Sequence, residues 1–191
     1  MGLTFIKSLT GDGSGPLSFV NGASGVVLDG TYTEYLFQFV NLHPSHDASK
    51  LRWRSSIDTG SNYGVATTTS FFQSYINEDS GVQSSGELSY AAGLDAQQST
   101  SDDLYLSDGV GNDADQSASG YMTLFLPSSD TYAKQFYAEV QQSSAGNTCN
   151  CSRTAGYVNT TDEVDAIQFS FFKSGESAVI DLGTIYMYGV S

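Results

Sequence analysis

Basic residues are scarce: 7 Lys and Arg stand against 21 Asp and Glu in 191 residues, a formal charge of −14 at pH 7. A surface of that sign repels phosphate backbones and anionic lipid, because counterion release needs Lys and Arg to neutralise phosphates. Nucleic-acid and membrane partners are therefore not expected. Cysteine is nearly absent as well. Its 2 copies, Cys149 and Cys151, have a single residue between them, and a disulfide there would close a strained ring that constrains almost nothing. They supply no disulfide framework and no signal of compartment. No apolar run approaches the ~18 residues of a membrane span. Leu3 to Leu9 is too short and polar for the apolar region of a secretion signal, so the chain is expected to start mature at Met1. Helical periodicity is almost missing, and no segment repeats its neighbour, which argues against a solenoid or propeller.

Aromatic and small-hydroxyl residues are plentiful instead. The 12 Tyr and 11 Phe suit half-buried pleated surfaces better than helix faces. Leu, Ile, Val and Phe together make 43 of 191 residues, above the roughly 20% below which highly charged chains stay unfolded. The chain should fold, and its length fits a single domain over residues 1–191. Its polar surface is mostly uncharged, with 29 Ser and 16 Thr, and only 15% of residues are charged. That balance suits a protein kept soluble outside a cell or packed as one copy of many in a shell.

Alternation of period two, bounded by Gly, Asp, Asn and Ser, recurs along the chain. Leu51 to Asp58 is the clearest strand, with Leu51, Trp53 and Ile57 on one face and Arg52, Arg54, Ser56 and Asp58 on the other. It ends in Thr59-Gly60-Ser61-Asn62, whose glycine accepts positive φ. Tyr32 to Leu42 is apolar on both faces, so it reads as a central strand or one covered on both sides. Pro44 ends it. Further strands are expected at Leu3–Leu9, Leu17–Val20, Thr67–Ile76, Glu87–Ala92, Leu104–Leu106, Tyr121–Leu126, Lys134–Val140, Ala166–Phe172 and Thr184–Tyr188. This pattern predicts an all-β fold, an antiparallel β-sandwich, with a jelly roll as one solution at this size and any helix limited to a single turn. Gly93 to Gly120 carries Asp95, Asp102, Asp103, Asp108, Asp113 and Asp115 with no Lys or Arg, and reads as a long surface excursion.

Several clusters invite a chemical reading. Asp108 to Asp115 offers oxygen ligands of the kind Ca²⁺ takes, but lacks the spacing and distal Glu of an EF-hand. An Asx-rich solvated loop accounts for it. His43-Pro44-Ser45-His46-Asp47 holds both histidines beside a carboxylate, yet zinc would need a third ligand from far along the chain, such as Cys149 or Cys151. No spacing among the serines singles out a nucleophile. Asn150-Cys151-Ser152 and Asn159-Thr160-Thr161 match the glycosylation pattern by composition alone. No catalytic, cofactor or metal residue is assigned, and no enzymatic activity is expected. Lys50, Arg52 and Arg54 form a local positive stripe on this acidic chain. They read equally as a solvated strand face or as a candidate subunit interface that meets the acidic surface of a neighbouring copy.

Tyr32-Thr-Glu-Tyr-Leu-Phe-Gln-Phe-Val-Asn41-Leu-His-Pro44, Leu51-Arg-Trp-Arg-Ser55 and Asp58-Thr-Gly-Ser-Asn-Tyr63 resemble a family of small structural proteins of tailed bacteriophages, many marine or cyanobacterial. Leu3-Thr-Phe-Ile-Lys7, Gly156-Tyr-Val-Asn-Thr160, Val164 to Phe169 and Gly183-Thr-Ile-Tyr-Met-Tyr-Gly189 fit the same pattern, so the resemblance spans both ends and the centre. It brings no catalytic signature. It implies a virion component, labelled tail-fibre-like or capsid-associated, built as a trimeric jelly roll. A fibre protein adds a shaft or attachment segment to its tip, whereas residues 3–190 read as one globular unit. The expectation is therefore a capsid decoration protein on the virion surface, a homotrimer contacting the major capsid protein or tail components. The alternative is a tail-fibre or adhesin module that binds host glycans.

Overall fold

The computed structural model describes residues 2–78, 87–101 and 104–191. Among these residues the regular structure is twelve strands and a single 3₁₀ turn at Ala92–Leu94. The strands are β1 (Leu3–Thr10), β2 (Leu17–Val20), β3 (Glu34–Pro44), β4 (Lys50–Ser56), β5 (Thr67–Asn77), β6 (Glu87–Tyr90), β7 (Ala96–Ser99), β8 (Ala118–Phe125), β9 (Lys134–Ser143), β10 (Thr148–Val158), β11 (Ala166–Phe172) and β12 (Ile180–Val190). Every pairing is antiparallel. A nine-stranded sheet runs β1-β12-β3-β8-β9-β10-β5-β6, with β7 also paired to β5, and a three-stranded sheet runs β2-β11-β4.

Alternation explains how the two sheets meet. Tyr35, Phe37 and Phe39 of β3 point inward and are buried, while Leu36, Gln38 and Val40 point away. From the small sheet, Phe169 of β11 enters the same layer. Its ring lies 5.3 Å from that of Phe37, 5.2 Å from that of Phe39 and 6.4 Å from that of Phe19 on β2. Trp53 of β4 packs edge-on against Phe136 of β9 at 4.5 Å. The expected sandwich is thus observed, with the small sheet covering one face of the large one. Its nine-to-three division does not by itself make a jelly roll, whose eight strands split over two sheets.

β3 is central, as expected, flanked by β12 and β8; its second face carries the exposed Gln38 and Val40. Other expectations need correction. β4 stops at Ser56, so Ile57 leaves the buried face and is 41% exposed. Beyond it, hydrogen bonds from Asn62 hold the Asp58 carboxyl below its usual value and tighten the turn. The region Gly93 to Gly120 is not a surface excursion: it contains β7 and the start of β8, and it buries Leu94, Leu104, Leu106 and Val110. Backbone bonds tie it along β4, from the Trp53 N–H to the Leu104 carbonyl (3.1 Å) and from the Leu106 N–H to the Leu51 carbonyl (2.7 Å). Asp102 and Asp103 lie outside the described residues.

β10 has no apolar stripe to announce it. Its inward residues Asn150, Ser152 and Thr154 are buried but polar, and its pairing with β5 and β9 supplies what hydrophobic alternation does not. One charge is also buried. Lys134, at the start of β9, is fully enclosed, and its ammonium donates to the carbonyls of Ser129 (2.6 Å), Tyr132 (3.2 Å) and Thr160 (3.1 Å). Desolvation lowers its pKa, which the nearby carboxylates of Asp162, Asp130 and Glu163 oppose. The side chain knots the loop before β9 to the loop after β10. Replacing it by methionine leaves three carbonyls without that donor, so Lys134→Met should cost about 2–4 kcal/mol in urea unfolding. An unchanged midpoint would refute this account of the knot.

Candidate functional site

Lys50, Arg52 and Arg54 lie on β4, on the side opposite Leu51 and Trp53, and all three are half-buried. All three are engaged within the chain. The Lys50 ammonium pairs with the Asp108 carboxylate at 3.0 Å and sits 5.0 Å from the centre of the Tyr105 ring. Arg52 Nε donates to Ser170 Oγ at 2.9 Å, and its guanidinium covers the Phe172 ring at 5.1 Å. Arg54 lies directly across from Gln168 of β11. The stripe therefore braces β4 against β11 and against the segment holding Tyr105 and Asp108.

The two histidines do not converge. His43 Nδ1 meets Asp181 Oδ1 at 2.7 Å, and Nε2 faces the Asn112 carbonyl at 3.2 Å. Both ring nitrogens thus meet acceptors, and the ring ties β3 and β12 to the acidic loop. His46 instead faces Ser45 Oγ (2.9 Å) and Glu176 (3.1 Å). His43 lines a cleft of ≈ 550 Å³ with Asp115, Gln116, Thr184 and Tyr186. The cleft opens where β3 and β12 lose register. Gly183 sits there at φ +95°, and a Cβ on it would stand 2.2 Å from the Asn41 carbonyl oxygen, so only glycine fits. Among the described residues no group of three or more His, Cys, Asp or Glu is arranged to hold a metal ion. Within the Asp108–Asp115 loop, Asp108 is the partner of Lys50. Cys149 and Cys151 are free thiols on the outward side of β10, and Asn150 between them is buried.

The feature the sequence reading missed is the outward face of the nine-stranded sheet. Registers place Phe5, Tyr188, Leu36, Thr123, Tyr137 and Ala155 on neighbouring strands along one line of this face. Phe5 stacks edge-on with Tyr188 at 5.8 Å, and Tyr137 contacts both Tyr121 (6.0 Å) and Phe125 (5.9 Å). Leu3 is 61% exposed, Phe5 56% and Tyr137 44%. Two adjoining grooves of ≈ 540 and ≈ 430 Å³ share Leu3, Leu36 and Tyr121 in their walls. Charge is sparse here. Glu34 and Glu139 are the acidic outward residues of the central strands, and Glu139 is paired with Arg153 across the ladder at 2.9 Å. Burial, and after it the Glu139 carboxylate, raises the Tyr121 hydroxyl above its usual pKa. The signal was present in Tyr32 to Leu42, which is apolar on both faces and reads from sequence as central or covered on both sides.

No family model, curated protein or solved structure matches the chain.

The bracing role of the basic stripe is open to measurement. Arg52→Ala removes a hydrogen bond and the cover over Phe172, so it should lower unfolding stability by about 1–2 kcal/mol. Lys50→Ala, which breaks a half-exposed pair, should cost less than about 1 kcal/mol. Equal melting of both variants and the parent would show that the stripe holds nothing within the chain.

Proposed function

We propose that this chain is a structural protein of the surface of a tailed bacteriophage, a capsid decoration protein that stabilises the head by adhesion. The observation that carries the reading is the broad, nearly uncharged outward face of the large sheet, where Leu3, Phe5, Val40, Phe72, Ile76, Tyr137 and Tyr157 stand exposed, on a chain whose formal charge is −14. Exposed apolar area of that extent marks an interaction surface, because soluble single chains keep such patches small. The sequence resemblance to phage structural proteins supplies the particle. Cementing needs no reaction: each copy covers a seam between subunits, and many weak seams act together against internal pressure. The partners on this reading are other virion proteins, the major capsid protein first.

A second reading is favoured by the aromatic grooves themselves. Tyr121, Tyr137 and Tyr188 stand beside Gln38 and Glu139, a mixture of flat rings and hydrogen-bonding groups that suits sugar rings. That would make the chain a tail-fibre or adhesin module for host glycans.

Quantifying the band that carries this sequence in purified particles separates the two. The decoration reading expects a copy number comparable with the major capsid protein, and lower heat tolerance of particles from which the protein has been stripped. A copy number matching a tail component favours the adhesin. Absence of the band from purified particles would refute both.

A further inference from the structure

We infer that the outward face of the nine-stranded sheet is covered by a second copy of this chain, the two packing face to face about a two-fold axis. The inference rests on the proposed function only for the reading of that face as adhesive; it places a second copy there, which leaves contact with the capsid to other surfaces of the pair. Three observations carry it.

The first is where the charge lies. Asp12, Asp29, Asp58, Asp108, Asp113 and Asp165 sit in turns and connections outside the strands, whereas the outward face bears Glu34, the compensated pair Glu139–Arg153 and, at one end, Asp115 and the Asp181 that meets His43. A basic partner would be drawn to the acidic turns. Another body of charge −14 is repelled everywhere except where both surfaces are neutral, and that is this face.

The second is area. At about 4.8 Å per strand, the seven strands from β1 to β5 make a face about 34 Å wide, and seven residues at about 3.4 Å each make it about 24 Å long. The product is about 800 Å², which is what each partner contributes to a stable interface of standard size.

The third is relief. The face carries both exposed side chains, Leu3 and Phe5, and the grooves beside them. A surface holding projections and hollows together is able to meet a copy of itself, as two-fold contacts require. Packing about 10 Å apart, the two large sheets would form the middle layers and the two small sheets the outside.

Sedimentation equilibrium on the full chain tests this. The expected mass is twice 20.4 kDa. Association should tighten as salt rises from about 0.01 M to about 0.1 M, because the Debye length shrinks from about 30 to about 10 Å and the mutual repulsion is screened. Tyr137→Glu should raise the dissociation constant at least about tenfold by placing like charges against each other. Gln38→Glu, nearly isosteric and on an exposed position, should weaken pairing in the same direction without endangering the fold. Tyr132→Glu makes the same change as Tyr137→Glu on an exposed loop residue away from the face and should leave pairing intact. A single-chain mass throughout, a trimer, or a pair that survives both face variants would overturn the inference. So would a monomer that holds an oligosaccharide on this face. These outcomes are independent of the particle test: a chain found on virions can still be single, and a chain absent from them can still pair.

Discussion

Phe169 is the point on which the architecture turns. Each sheet has one hydrophobic face that must be buried against another layer, so each needs the other. Phe169 stands between Phe19 of its own sheet and Phe37 and Phe39 of the large one, within 5.2 to 6.4 Å of all three rings. Trp53 against Phe136 repeats the contact further along. Burial of these rings is what fixes which face of each strand is inside. Once that choice is made, the register of β3, β8, β9 and β12 sends Leu36, Tyr121, Tyr137 and Tyr188 to the opposite side, where no other sheet of the described residues covers them.

The unequal sheets therefore produce the candidate site as a by-product of the core. The acidic residues gather in the turns, where Asx side chains cap the backbone, as Asp58 does with Asn62 and Asp29 with Thr31. Several positive charges are engaged inside the chain: Lys50 and Arg52 brace β4, and Lys134 closes three carbonyls at one end. What remains for a partner is a neutral aromatic plane with an acidic margin. Such a surface selects by repulsion as much as by attraction, since an acidic body can touch it only squarely.

Much of the fold was legible because burial imposes period two on a strand with one wet face. β2 at Leu17–Val20 and β11 at Ala166–Phe172 have the bounds that the alternation predicts, although β11 also buries Ala166 and Ser170 between its inward rings. β10 was not legible, because Asn150, Ser152 and Thr154 occupy inward positions normally marked by apolar residues. β7, at Ala96–Ser99, is short and its Gln97 and Gln98 are exposed, so it has almost no pattern to read. The segment from Gly93 to Gly120 looked solvated because its acids outnumber its anchors, although Leu104, Leu106 and Val110 suffice to seat it on β4. The basic stripe was found, but its partners Asp108, Ser170 and Phe172 come from distant parts of the chain, and no local spacing reveals them. The outward face was half visible: apolar residues on both sides of Tyr32 to Leu42 have the same signature whether the second side is covered or bare.

The central claim is that stability resides in the face sealed by Phe169, while the opposite face is built for contact. Urea unfolding of dilute protein carrying Phe169→Ala, set beside Tyr157→Ala on the outward side of β10, tests it most directly. The account predicts a loss of about 3–5 kcal/mol at Phe169 and less than about 1 kcal/mol at Tyr157, whose side chain is half exposed. Equal losses at the two positions would contradict it.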